Sequence, residues 1–264
     1  MSEKSRLARA LAGGNKLVAY LTCGDPSIDT TVDLVIALAR AGASAVELGI
    51  PFSDPSADGP AIQRAMERAL GRGTSLRSVL DVTRRVRHAG CDVPIVLFGY
   101  YNPIFVYGAS RFARDAAEAG ADATLVVDLP VDEIHELLGP ARAAGLKVVP
   151  LLAPTSTPAR IARVGSIGAP FVYYVSVTGI TGAALAAQSD VERRVQEIRA
   201  QVSCPIAVGF GIATPDDARA IGRFADAVVV GSAIVRVIEE NPGRETLSVT
   251  ALASSLSEAL VKGV

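Results

Sequence analysis

The chain has 264 residues, is 50% hydrophobic and 20% charged, and carries a formal net charge of −1. Such a composition suits a packed globular core and excludes a disordered chain, and a charge this small gives no reason to expect nucleic acid or an anionic membrane as partner. Three scattered cysteines, Cys23, Cys91 and Cys204, have neither the even number of a disulfide framework nor metal-ligand spacing, so a reducing, cytoplasmic setting is expected.

The first residues mix charges and lack an apolar run, which is not the pattern of a signal peptide. Ser2–Leu11 has helical spacing and predicts an N-terminal cap helix. Short β-rich runs then alternate with helical stretches. The predicted strands are Leu17–Thr22, Ala45–Ile50, Pro94–Phe98, Ala123–Val127, Lys147–Leu151, Phe171–Val175, Pro205–Val208 and Ala227–Val230. Amphipathic segments lie between them: Thr30–Ala41, Ser75–Ala89, Ala109–Ala119, Val131–Ala144, Pro158–Ile167, Asp190–Val202 and Pro215–Gly222. Several end in Ala-Gly, a helix stop. Val164–Ser189 is uncharged, but its glycines, Pro170 and hydroxyl residues break it too often for a membrane span, so a buried strand and a Gly-rich loop are expected there. Eight strand–helix units predict a (β/α)₈ TIM barrel in one domain over 1–264, with an extra C-terminal helix at Leu247–Val261. A doubly wound open sheet is the alternative, although it would not need eight equal units.

On a barrel the functional loops follow the C-terminal ends of the strands. Polar residues cluster at those ends: Asp25, Asp54, Asp58, Asn102, Asp128, Thr155, Ser156, Thr157, Ser176, Thr178 and Thr181. The densest stretch is Ala45–Gln63. An apolar strand there holds one carboxylate, Glu47, and Pro51 and Pro55 stiffen a loop carrying Asp58, which ends at Gly59-Pro60, where a helix begins. A lone strand glutamate is more often a satisfied ion pair or an exposed side chain. A second acid on the same strand-to-helix connection favours acid–base chemistry, which uses carboxylates in unlike environments. Gly209-Phe-Gly211 and Gly231-Ser232 follow the last two strands, where backbone N–H groups at a helix start suit a phosphate, although such glycines also serve plain tight turns.

Ala45–Gln63 resembles the signature of the tryptophan synthase alpha chain family. So do Leu21-Thr-Cys-Gly-Asp25-Pro26, Gly99-Tyr-Tyr-Asn102-Pro103, Asp128-Leu-Pro130, Ser176-Val-Thr-Gly-Ile-Thr-Gly182, Val208-Gly-Phe-Gly-Ile212 and Val230-Gly-Ser232-Ala, in the family's order and spacing from about residue 20 to about 235. The resemblance implies retro-aldol cleavage of indole-3-glycerol phosphate to indole and glyceraldehyde 3-phosphate. It makes Glu47 the group that protonates indole C3 and Asp58 the group that takes or stabilises the indole N–H proton. Tyr173 would stand near Glu47, and Thr181 would hold Asp58. Gly182, Gly211, Gly231 and Ser232 would receive the phosphate, and Tyr20, Phe98, Tyr100 and Leu125 would line the indole pocket. Pro51, Asp54, Asn102 and Pro103 would meet a beta chain in an alpha2beta2 heterotetramer, with pyridoxal phosphate in the beta partner and no cofactor in this chain. Val127, where Pro is common, and Val177, where some relatives have Arg, are small departures.

Other chemistries fit poorly. His88 and His135 stand without a ligand-spaced Cys or carboxylate, and no pattern argues for a metal. Lys147, at a strand start, is a poor candidate for a Schiff-base lysine. Gly209-Phe-Gly211 follows a late strand, so it is not a dinucleotide fingerprint. Besides the alpha subunit, a stand-alone lyase remains open, as does a non-catalytic activator of a beta chain; retention of both acids argues against the last.

Overall fold

A computed structural model describes residues 5–176, 184–209 and 211–261. Nine strand segments form one sheet: β1 Lys16–Thr22, β2 Ala45–Gly49, β3 Ile95–Gly99, β4 Ala123–Val126, β5 Lys147–Val149, β6 Leu151–Leu152, β7 Val172–Val175, β8 Ile206–Gly209 and β9 Ala227–Val230. The order is β5-β4-β3-β2-β1-β9-β8-β7-β6, with every pairing parallel. The first strand therefore pairs with the last, and the two ends of the series are consecutive in the chain, separated only by Pro150. Proline has no N–H to give a ladder, so the predicted strand Lys147–Leu151 is cut in two. The Pro150 carbonyl still accepts from Tyr173 N at 3.0 Å. The result is a (β/α)₈ barrel with one broken strand position.

The helices are α1 Arg6–Ala10, α2 Ile28–Arg40, α3 Pro60–Gly71, α4 Leu76–His88, α5 Tyr101–Tyr107, α6 Ala109–Ala119, α7 His135–Ala144, α8 Pro158–Ser166, α9 Ala184–Arg199, α10 Pro215–Gly222, α11 Ser232–Glu240 and α12 Glu245–Val261. Local chemistry sets several of their ends. Ser27 accepts from Thr30 N at the start of α2, and Thr157 from Arg160 N at the start of α8. Thr214 and Asp217 form a reciprocal capping box on α10. Gly120 and Gly145 adopt the left-handed conformation that ends α6 and α7. Helix α9 begins at Ala184, ahead of the predicted start at Asp190.

Two apolar shells follow from the period of two along each strand. Leu17, Ala19 and Leu21 of β1 pack outward against the helices, while Val18 and Tyr20 point into the barrel. The inner shell also takes Ala45, Val96, Phe98, Ala123, Leu125, Phe171, Tyr173, Ala207, Ala227 and Val229. Leu7 and Leu11 join it from below, so α1 plugs the N-terminal end of the barrel. Alternation from Ala45 turns Glu47 and Gly49 inward as well.

Candidate active site

Glu47 is 1% exposed, inside an apolar barrel, and its Oε1 has no hydrogen-bond partner among the described residues. A buried carboxylate oxygen without a partner is costly, and burial pushes the Glu47 carboxyl up to about 8, so at neutral pH it holds its proton. Among the described residues Glu47 forms no ion pair, so the bland reading does not hold there.

Asp58 lies half-buried on the loop between β2 and α3. Tyr100, just past β3, donates its hydroxyl to Asp58 Oδ2 at 2.6 Å and accepts from Ala57 N at 3.0 Å. Its ring leans on Phe52, centroids 5.0 Å apart. Gln63 Nε2 donates to Asp58 O at 2.8 Å and Pro55 O at 3.3 Å, which braces the loop from α3. Burial raises the Asp58 carboxyl above its ordinary value and the Tyr100 hydrogen bond opposes this. The two acids therefore differ as acid–base partners should: one dry and neutral on a strand, one hydrogen-bonded and more exposed on a loop.

The expected pocket residues meet inside the barrel. Tyr20 and Phe98 make an edge-to-face contact with centroids 5.2 Å apart, and Leu125 and Tyr173 belong to the same cluster. Tyr100, expected in the same pocket, grips the Asp58 loop through its hydroxyl. Its place was open to inference, because it continues the inward series Val96, Phe98. Burial, then the charges of Glu47 and Asp58, raise the Tyr173 hydroxyl, which places it within reach of both acids' fields.

Gly231 is the N-cap of α11 and makes no side-chain cap hydrogen bond, so the N–H groups at Ser232 are left for another partner. Gly211 has a φ of +78°, a conformation glycine adopts without strain. A methyl group on Gly59 would stand 4.0 Å from Ser232 Oγ, so the Asp58 loop and the start of α11 are neighbours. Thr181 and Gly182 lie outside the described residues.

Of the rim residues, Asp54 and Asn102 are exposed, Pro103 is half-buried and Pro51 is buried. Helix α5 is not among the predicted elements. That helix presents Phe105, 65% exposed, and Val106, 77% exposed. Beside it lies a surface cavity of about 360 Å³ lined by Tyr101, Asn102, Phe105, Asp128, Leu129, Glu133 and Glu136. Other rim polar residues have structural partners: Asp25 binds Arg68, Asp128 accepts from Tyr101 N, Ser156 accepts from Ala153 N, and Ser176 donates to Gly209 O.

The sequence profile described as tryptophan synthase alpha chain matches residues 8–262. The chain belongs to the tryptophan synthase alpha chain family. It is 50% identical over 252 residues to the tryptophan synthase alpha chain of Citrifermentans bemidjiense, covering 95% of this chain and 94% of that protein. It is 47% identical over 260 residues to that of Neisseria meningitidis serogroup B, covering 98% and 100%. The tryptophan synthase alpha subunit of Legionella pneumophila superposes with a TM-score of 0.91 at 36% identity, covering 98% and 100%. A chain from the mutually activating tryptophan synthase a2b2 complex of Pyrococcus furiosus superposes with a TM-score of 0.85 at 37% identity, covering 92% and 98%. In this family member no helix among the described residues is long and apolar enough to cross a membrane.

Proposed function

We propose that this chain is the alpha subunit of a tryptophan synthase and cleaves indole-3-glycerol phosphate by a retro-aldol reaction. The observation that carries this is Glu47: a neutral, buried acid whose Oε1 has no partner among the described residues, set in the barrel below an acid held at the mouth. Glu47 gives its proton to indole C3, which becomes tetrahedral, while the Asp58 carboxylate takes or stabilises the positive N–H of the ring. The Glu47 carboxylate then removes the proton of the side-chain hydroxyl. The bond from C3 to the side chain breaks, its electron pair restores the indole, any ring proton taken by Asp58 returns to the nitrogen, and the hydroxyl carbon becomes the aldehyde of glyceraldehyde 3-phosphate. Glu47 ends protonated, ready for the next cycle. Every proton moves between these two side chains and the substrate.

On this reading the phosphate is assigned to backbone N–H groups at Gly211, Gly231 and Ser232, together with Gly182, and the holding of Asp58 is assigned to Thr181. The inner aromatic wall of Tyr20, Phe98, Leu125 and Tyr173 takes the indole. The beta chain docks over Asp54, Asn102, Pro103 and the apolar tip of α5, with Pro51 shaping the rim from beneath. Pyridoxal phosphate belongs to that partner. Free cysteines at 23, 91 and 204 support a cytoplasmic setting. A stand-alone lyase is the second reading, favoured by the Tyr100 bond that fixes Asp58 without a partner.

Glu47→Gln and Asp58→Asn test the assignment. Each is expected to fold and bind substrate but to release indole at least about a hundredfold more slowly, as loss of a general acid or base does. Near-normal turnover in either purified variant would show that the acid is misassigned.

A further inference from the structure

Helix α3 follows directly on the Asp58 loop and α11 begins at Ser232, so the placement of these two helices sets the distance between the proposed acid and the proposed phosphate cradle. At their N-terminal ends they meet through small groups. A methyl group on Gly59 would stand 4.0 Å from Ser232 Oγ, and one on Gly231 would stand 3.6 Å from Ile62 Cδ1 and 3.4 Å from Tyr20 Cβ. Apolar contacts of this kind are non-directional and oppose sliding only weakly. Further along the helices the contact is ionic. Glu239 of α11 accepts from Arg64 Nε and Nη2 at 3.0 and 2.7 Å, and from Arg68 Nη1 at 2.7 Å. Arg68 donates its other two nitrogens, Nε and Nη2, to Asp25 at 2.9 and 2.7 Å. Asp25 lies three residues past Thr22, the last residue of β1, and is 3% exposed. The four charges alternate in sign along Asp25, Arg68, Glu239 and Arg64 and sum to zero.

An ion pair as exposed as that of Arg64 and Glu239, with side chains 51% and 28% exposed, contributes little to stability, and the burial of Asp25 carries a desolvation cost that Arg68 must offset. What such pairs supply is direction. Two parallel N–H···O bonds hold a guanidinium and a carboxylate in one plane and at one register. Glu239 stands seven residues beyond Ser232, roughly 10 Å along the helix at a rise of about 1.5 Å per residue. An apolar contact at the helix starts and an ionic one this far along fix the tilt of α3 against α11 as well as their spacing. We propose that Arg68 and Glu239 are positioning residues: with Asp25 and Arg64 they lock α3 against α11 and the end of β1, and so match the span from Asp58 to the N–H groups at Ser232 to one substrate molecule. The proposal rests on the reading of Asp58 and the start of α11 as two ends of the substrate site. The network acts on ligands that reach both ends and leaves shorter ones unaffected.

The test compares a molecule that spans the site with its two halves. Dissociation constants of indole, of glycerol 3-phosphate and of indolylpropyl phosphate, which joins the two and is unreactive because it lacks the side-chain hydroxyl, are measured for the full chain and for Glu239→Ala. Joining two fragments gains affinity only where the site holds both at the joined distance. Glu239→Ala is expected to weaken indolylpropyl phosphate about three- to tenfold and to lower kcat/KM for indole-3-glycerol phosphate by a similar factor, while each half binds within about twofold of the unaltered chain. Glu239→Gln, which keeps an acceptor oxygen, is expected to restore part of that loss. If Glu239→Ala does not fold, Arg64→Ala, which leaves Arg68 on both carboxylates, gives the same comparison with a smaller effect in the same direction. A lower unfolding midpoint with unchanged affinity for the spanning ligand would make the network a plain brace and overturns the proposal. Equal weakening of the halves and the whole overturns it too, because the network would then shape one end rather than the span. The failure of the underlying reading looks different: the unaltered chain would bind indolylpropyl phosphate no more tightly than its better half, and the substrate site would fall with the proposal.

Discussion

At neutral pH the Glu47 carboxyl keeps its proton because ionising it would place a charge inside an apolar barrel with no partner at Oε1 among the described residues. That has a consequence for stability. Burial raises the group from 4.5 to about 8 on folding. Below 4.5 both folded and unfolded chains carry the proton, and Glu47 brings no penalty. Between 4.5 and about 8 only the folded chain holds it, so stability falls by about 1.4 kcal/mol per pH unit from this group. Glu47→Gln cannot titrate. Its stability relative to the unaltered chain, read from urea unfolding, is therefore expected to rise steadily from pH 5 to pH 8; a constant difference would mean that Glu47 ionises in the fold as easily as in the unfolded chain. Tyr100 works in the opposite sense on Asp58, because a hydroxyl donated to a carboxylate favours the charged form. Burial thus keeps the strand acid a proton donor, while on the loop acid burial also raises the carboxyl and the 2.6 Å hydrogen bond from Tyr100 opposes that rise.

In the proposed phosphate site, helix α11 would act through its N-terminus rather than a side-chain cation. Gly231 leaves the end uncapped, and Ser232 begins the helix beside Gly59 of the Asp58 loop. Ser232→Asp would satisfy those N–H groups with its own carboxylate and repel a phosphate. The expected result in steady-state kinetics is a KM for indole-3-glycerol phosphate raised at least about tenfold, with kcat changed much less. Equal turnover of the unphosphorylated substrate by the unaltered chain would count against this site. Elements of this kind were legible in the sequence: the strand periods, the Ala-Gly stops and the Gly231-Ser232 start all report short-range chemistry. Helix α5 was not, because Asn102-Pro103 reads as a turn, although proline is tolerated in a helix's first turn. The break at Pro150 was visible as a residue but not as a gap, since a parallel ladder through its carbonyl survives. The grip of Tyr100 on Asp58 joins residues 42 positions apart and depends on where the barrel brings two loops together.

The mouth of the barrel gathers the site and the proposed docking surface on one rim, and the two share elements. Tyr100 ends the β3 connection by holding Asp58, and the next residue opens α5, whose N-terminal N–H at Tyr101 is held by Asp128 at 2.7 Å. A partner seated on Phe105 and Val106 therefore presses on a helix one residue from the group that positions the loop acid. The described loop already has Asp58 in place, so a partner need not create the geometry; it needs only to favour it over others. A tenfold gain requires about 1.4 kcal/mol of preference for the competent state. The expected outcome is that a cognate beta chain raises kcat more than it lowers KM. Charge on the apolar tip of α5, as in Phe105→Glu with Val106→Glu, should weaken beta-chain binding and reduce that stimulation ratio at least about fivefold at a fixed partner concentration. Steady-state rates with and without the beta chain, together with direct measurement of its binding, check both parts. Full activity of the chain alone, unchanged by a beta chain that binds, would instead favour the stand-alone lyase, with Tyr100 sufficient to hold Asp58 for catalysis.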